Sequence, residues 1–310
     1  MVKTELSIDF FWGTPDEVRS FERAGVPSLR LVDEKGSLPG TKTSLVLPVE
    51  KITGKIERAG RIVALIGEDA EAEYCLMGGL LPPDMSNPRE MQAVEIFPEI
   101  ENVLNEAGFS FDDVVRTWFY VDKVCEWYGA FNSARSDYFE KRGVFDHFLP
   151  ASTGIGVANL DGAALVAGAI AMKKKGASSA HAEIVDSPLQ APAMAYRSSF
   201  SRAAEIISPN KTLFVSGTAS IKPNSHDVAY VGDIVAQIDC TMKAVLAILE
   251  SRGYGWKDVT RGIVYLKKPE FADAWRDWLK KNNLPADFAC ETVCDVCRDE
   301  WLFEIEVDCR

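Results

Sequence analysis

Two stretches of the chain, 90–123 and 235–268, repeat one another at a constant offset of 145 positions. Gln92 is answered by Gln237, Leu104 by Leu249, Gly108 by Gly253, Asp113-Val114 by Asp258-Val259, Arg116 by Arg261 and Tyr120 by Tyr265. A glycine, an acid, a base and an aromatic held in one register mark a duplicated structural unit. What the copies share serves the architecture, so function is to be sought where they differ.

Each copy runs through the same patterns. An apolar run ending near a glycine comes first, AEYCLMGGLL at 72–81 and KTLFVSGTASI at 211–221, and reads as a strand. A segment of 3.6-residue period follows, Val94 to Ala107 and Ile234 to Arg252, stopped by Gly108 and Gly253 as helices commonly are. The Val-, Trp-, Tyr- and Ile-rich runs Asp113 to Tyr120 and Asp258 to Leu266 read as strands, each followed by an amphipathic helix, WYGAFNSARSDYFEKRG and EFADAWRDWLKKN. A final strand pair closes each unit: Ser152–Val157 with Ala164–Met172, and Thr292–Cys297 with Leu302–Val307, the latter joined across Arg298–Trp301. The expected class is therefore α+β, with two β-β-α-β-α-β-β units at 59–180 and 181–310. Residues 1–58, with the loop signal DEKGSLPG, form a partial N-terminal domain.

With 47% hydrophobic residues, 310 residues suffice for two cores. No run approaches the roughly 20 apolar residues that span a bilayer, and the charged start MVKTELSIDFFWGTPDEVR is unlike a signal peptide, so a cytoplasmic location is expected. Seven cysteines, an odd number, read as free thiols. A net charge of −12 with scattered lysines and arginines argues against nucleic acid as a partner. It also means that any small anionic metabolite must be held by individual arginines.

SGTASI at 216–221, GDIVAQ opening a helix at 232–237, Asp-Val before a strand bearing tyrosine, and VCR…FEIE at the end resemble the Rid/YjgF superfamily over roughly 60–310. FSRA at 200–203, PASTGIG at 150–156 and DVCRDEWLFEIE at 295–306 resemble its tandem chorismatase-like members. The resemblance implies chorismate-mutase-like units of endoribonuclease L-PSP type in a pseudo-threefold arrangement, with ligand sites in the clefts between units. It implies cofactor-independent hydrolysis of chorismate to pyruvate plus a dihydroxycyclohexadiene carboxylate or a hydroxybenzoate.

Glu304 is the leading catalytic candidate. A tight turn at Arg298–Trp301 would set it opposite Asp295 and diagonal to Cys297, on the sheet face shared with Leu302 and Glu306. Its counterpart in the central copy is read as Ala167, and that of Glu306 as Ala169, so the fold does not demand these acids. The proposed reaction needs a carboxylic acid that protonates an enol-ether methylene, and desolvation near Trp301 and Phe303 would keep it protonated.

In Rid deaminases, which handle imines through an equivalent Glu, an Arg stands two residues before the strand cysteine. Here that place is Thr292, or Asp295 if Cys297 is the reference. A carboxylate anchor must then be Arg202 or Arg298, with Arg116 read as a structural ion pair shared with Arg261, and Arg135 as a solvated helix residue. Ser216, Gly217, Thr218, Ala219 and Ser220 offer hydroxyls and close backbone approach, Ser152, Thr153 and Gly154 would face the same cleft from the neighbouring unit, and Tyr196 would sit at its rim.

The resemblance implies that Cys297 is a cleft residue and, beside Glu304, a catalytic candidate. One C-x-x-C, Cys294 to Cys297, is too little for zinc, and no metal or cofactor is expected. His147, His181 and His226 fall in predicted loops without a nucleophilic pattern, and no Gly-rich phosphate loop is present. Two other readings stand beside the hydrolase: an enamine/imine deaminase, and a non-catalytic small-acid sensor. The chain is expected to be a pseudo-symmetric monomer or a homo-oligomer.

Overall fold

The computed structural model describes the chain apart from residues 1–3, 22, 34, 35, 197, 224 and 226, with backbone only at 196. Its elements in chain order begin with β1 (Thr4–Gly13), α1 (Pro15–Phe21), β2 (Ser28–Val32) and β3 (Thr41–Val49). The central unit follows with β4 (Lys51–Arg58), β5 (Arg61–Glu68), β6 (Ala72–Leu80), α2 (Arg89–Glu106), β7 (Val114–Val121), α3 (Val124–Lys141), β8 (Ala151–Ile155), β9 (Ala158–Asn159) and β10 (Leu165–Lys174). The last unit holds β11 (His181–Val185), β12 (Ala203–Ile207), β13 (Thr212–Ala219), α4 (Ile234–Ser251), β14 (Val259–Leu266), α5 (Ala272–Lys281), β15 (Cys290–Val293) and β16 (Phe303–Cys309).

The two complete units build matching six-stranded sheets, β4-β5-β6-β10-β7-β8 and β11-β12-β13-β16-β14-β15. Each has one more edge strand than the pattern suggests, and the central sheet begins at Lys51, ahead of residue 59. His181 opens strand β11 rather than lying in a loop, and His226 is outside the described residues. The N-terminal segment contributes a four-stranded sheet, β3-β1-β2-β9, whose last strand is lent by the central unit. Within it β1 runs parallel to β2 across α1 and antiparallel to β3. That is the connectivity of β14-α5-β15-β16, so the partial domain is the second half of a unit.

Several repeated residues perform the same structural task twice. Gly108 and Gly253 take φ of 83° and 82°, which glycine adopts without cost, and let the next residue bond back to Leu104 and Leu249. Asp113 and Asp258 accept from the backbone N–H groups of Ser110 and Gly255, each at 2.8 Å. Gln92 and Gln237 clip the loop before their helix to the residue leading into β10 or β16: Gln92 accepts from Ala164 N–H and donates to Asn87 carbonyl, Gln237 accepts from Leu302 N–H and donates to Tyr230 and Glu300 carbonyls. The hydroxyls of Tyr120 and Tyr265 meet at 3.1 Å.

Those tyrosines mark the pseudo-threefold centre. The Trp12 ring from β1 packs edge-on to Tyr120 at 5.3 Å and tilted against Tyr265 at 6.0 Å, so one aromatic from each of β1, β7 and β14 fills the middle. The inner faces of all three sheets form one apolar cluster there, while each complete unit keeps a second core between its sheet and its helices. No helix among the described residues is long and apolar enough to cross a membrane.

Candidate active site

The cleft between the central and last units is walled by β8 and α3 on one side and by β13, β16 and the segment leading into β12 on the other. Glu304, 5% exposed, reaches into it from β16. Its strand neighbours are Tyr265 on β14 and Ala219 on β13, not Asp295. The final strands do not form a hairpin: β15 ends at Val293 and lies parallel to β14, with β16 on the far side of β14. Asp295 is exposed and pairs with Lys267 at 2.9 Å. The same crossing occurs in the central unit, where β8 lies parallel to β7.

This register also moves the comparison of the copies by one residue. Tyr265 faces Glu304 and its repeat Tyr120 faces Val166, so Val166 rather than Ala167 matches Glu304, and Gly168 rather than Ala169 matches Glu306. In the N-terminal sheet Trp12 faces Thr41. Among three equivalent positions, Glu304 alone is acidic, and the pseudo-symmetry therefore has no structural use for it.

The acid is shielded from water. Trp301 lies in the cleft wall and donates its indole N–H to the Ser220 carbonyl at 3.0 Å. Phe303 does not take part, because odd-numbered β16 residues face the helix-side core. Burial, and next the nearby Glu306 carboxylate, push the Glu304 pKa up to about 8, while Arg202 and Arg116 pull it back. The shift favours the carboxylic acid form of Glu304 at neutral pH.

Glu306, one turn of the pleat further and fully buried, is held as an anion. Arg261 lies at 2.6 Å, Arg116 at 2.9 Å, and the Trp118 indole N–H donates at 2.9 Å. Burial opposes its charge, but Arg261 and Arg116 outweigh it and keep its pKa below the ordinary carboxylate value. The repeated arginines thus form the structural ion pair read from the sequence.

The SGTASI segment divides by strand alternation. Gly217, Ala219 and Ile221 line the cleft, whereas the hydroxyls of Ser216, Thr218 and Ser220 turn away and bond to the carbonyls of Ser201, Ser216 and Ala229. These three hydroxyls are not available to a ligand. A β-carbon at Gly217 would overlap a Glu304 carboxyl oxygen, so the carboxyl stands where it does because residue 217 has no side chain. On the opposite wall Ser152 and Gly154 line the cleft, while the Thr153 hydroxyl points inward to Arg116 and to the Gly217 N–H. Thr292 is buried and donates to the Val264 carbonyl at 2.8 Å.

Three arginines border the cleft. Arg202 donates twice to the Ala191 carbonyl, at 3.1 and 3.0 Å, with its guanidinium over Phe200. The Arg298 guanidinium lies over Trp301 at 5.1 Å. Arg135 is not a solvated helix residue: it is 3% exposed, donates to Asn132 Oδ1 at 2.6 Å, and its Nε has no partner among the described residues. Burial works against its charge and lowers its pKa. With Tyr128 and Phe131 it forms an i, i+3, i+7 stripe on α3 that faces the cleft. That spacing in WYGAFNSARSDYF was the available signal for these missed residues. Its apolar members suit a core equally well, and only the packing of one unit on the next tells the two apart.

Cys297 lies in the cleft wall, and burial pushes its thiol up to about 12, so it is uncharged and is not a thiolate nucleophile at neutral pH. Tyr196 ends the turn Ala193–Tyr196, and its side chain lies outside the described residues. Among the described residues no three His, Cys, Asp or Glu gather as a metal site.

Three sheets about a pseudo-threefold centre, with one buried acid in one inter-unit cleft, define a tandem protein of Rid/YjgF type with a chorismatase-like layout. The chain belongs to the Endoribonuclease L-PSP family, whose sequence pattern matches residues 77–172 and 190–310. A 3-hydroxybenzoate synthase from Streptomyces hygroscopicus is 28% identical over 268 residues, which are 76% of this chain and 74% of that protein. A chorismatase crystal structure superposes with a TM-score of 0.74 at 17% identity, covering 99% of this chain and 93% of the other. A single-unit endoribonuclease L-PSP structure from Entamoeba histolytica covers 42% of this chain at 19% identity and a TM-score of 0.34.

Proposed function

We propose that the chain is a chorismatase-type enzyme that cleaves the enol ether of chorismate or a close relative and releases pyruvate. One observation carries this reading: Glu304 is a buried carboxyl, protonated near neutrality, in a cleft bordered by three arginines. The relative named 3-hydroxybenzoate synthase supports the substrate class.

Glu304 gives its proton to the terminal methylene carbon of the enol ether. The double-bond electrons form the new C–H bond, and the ether carbon becomes an oxocarbenium ion. Water adds to that carbon and returns a proton to Glu304. The hemiketal then breaks the bond between its own carbon and the ether oxygen, its hydroxyl proton passing to that oxygen, which gives pyruvate and a dihydroxycyclohexadiene carboxylate. General-acid catalysis of this kind contributes about 10²–10⁴-fold. Arg135 and Arg202 anchor the substrate carboxylates, whose charge offsets the desolvation of the Arg135 guanidinium. Cys297, Ala219 and the Tyr128 ring shape the space around the ring. The deaminase reading has less support, because Thr292 occupies the place of the clamp arginine and its hydroxyl is engaged by Val264.

The test is to incubate purified protein with chorismate, follow pyruvate by a lactate dehydrogenase assay, and identify the ring product by mass. Equimolar pyruvate and diol, or pyruvate and hydroxybenzoate, supports the reading. No pyruvate at millimolar chorismate removes it.

A further inference from the structure

Thr153 belongs to the central unit, yet its hydroxyl oxygen accepts from two donors that matter to the other side of the cleft. One is Arg116 Nη2 at 2.6 Å, and the other is the Gly217 backbone N–H at 3.0 Å. Arg116 in turn holds Glu306 at 2.9 Å, and Arg261 binds the opposite oxygen of Glu306 at 2.6 Å. Gly217 lies where β13 slips out of register against β16, between Val215 and Thr218, and a Glu304 carboxyl oxygen fills the space where its β-carbon would stand. A bulged strand is the part of a sheet least constrained by its ladder. The hydrogen bond that Gly217 donates to Thr153 is therefore an external fastening on the segment that limits where Glu304 can turn.

We propose that Thr153 is a positioning residue, which ties the Gly217 bulge to the buried Arg116–Glu306–Arg261 cluster and so fixes the direction of the Glu304 carboxyl. This rests on the reading of Glu304 as the acid. The equivalent contact is absent from the cleft between the N-terminal and central sheets. There the registers place Leu29 at the Thr153 position, and Val166 stands at the Glu304 position. Hydroxyl and acid occur together in one cleft and are missing together in the other.

The groups that surround the Glu304 carboxyl are Glu306 on its own strand, Arg202, Arg116 from β7, Tyr265 from β14, Arg135 and Tyr128 from α3, and Cys294, Cys297 and Arg298 after β15. Valine at 153 keeps the shape of threonine but accepts neither bond, and serine keeps both. Thr153→Val is expected to lower kcat for pyruvate release 10- to 100-fold with KM changed less than threefold, and Thr153→Ser to restore most of it. Independently of turnover, the Glu304 δ-carbon can be titrated by ¹³C NMR, with its resonance assigned through Glu304→Gln. The midpoint near 8 is expected to hold in Thr153→Ser and to fall in Thr153→Val. Overlapping titrations for Thr153→Val and wild type would overturn the proposal, as would a Ser variant as slow as Val with both folded by circular dichroism. A wild-type protein that leaves chorismate intact would count against the proposed reaction alone, because the titration still decides the role of Thr153.

Discussion

The Glu304 carboxyl occupies the space that a β-carbon on Gly217 would fill. The glycine and the acid come from β13 and β16, and each is interpretable only through the other. Alanine at 217 forces the carboxyl or the bulge to move. Overpacking of this kind costs about 1–3 kcal/mol, and we expect Gly217→Ala to lose at least 100-fold in pyruvate release with a lowered melting temperature. An alanine variant as active as the parent would break the link.

Glu304→Gln keeps the volume and removes the transferable proton. The rate is expected to drop about 10²–10⁴-fold while chorismate still binds. Steady-state kinetics beside isothermal titration calorimetry separates the two effects.

The Glu304 pKa of about 8 lies above the ordinary carboxyl value of 4.5. A group whose pKa is raised on folding stabilises the fold fully below the unfolded value and loses that contribution as pH rises through the folded value. Stability should therefore decline between pH 5 and 8 more steeply in the parent than in Glu304→Gln, as urea unfolding at several pH values would reveal. The acid form is also the competent one, so kcat/KM should be level below about pH 7 and fall about tenfold per unit above 8.

Arg135 carries a buried charge with an unpartnered Nε among the described residues. Arg135→Met removes a costly desolvated group in the empty protein and an anchor in the occupied one. KM should rise about 10- to 100-fold, from the loss of a charge-assisted hydrogen bond, while the melting temperature does not fall. A variant with unchanged KM would place the substrate carboxylates elsewhere.

Glu306 neutralises two buried arginines. Glu306→Gln takes from Arg116 the carboxylate it pairs with and leaves Arg261 with Asp308, and should destabilise the fold by about 3–5 kcal/mol, the cost of breaking a buried pair. Urea unfolding would measure it, and a change below 1 kcal/mol would mean that water reaches the cluster.

The sequence by itself determined the repeat, the helices and the strands flanking them. These depend on short-range periodicity and on residues such as Gly108 and Gly253, whose conformational requirement is local. It also singled out Glu304, because duplication supplies an internal control for what the fold needs. Only the tertiary structure decided which strands are neighbours, and through them which side chains meet. Two consecutive strands such as β15 and β16 look like a hairpin, yet β14 lies between them, since β15 returns parallel after α5. Side chains alternate with period two, so a one-residue slip exchanged Ala167 for Val166 as the counterpart of the acid. The same alternation turned Ser216, Thr218 and Ser220 away from the cleft. Arg135, Tyr128 and Thr153 face a unit more than 60 residues distant in the chain, and that contact comes from the docking of sheets, a long-range packing choice no local pattern records.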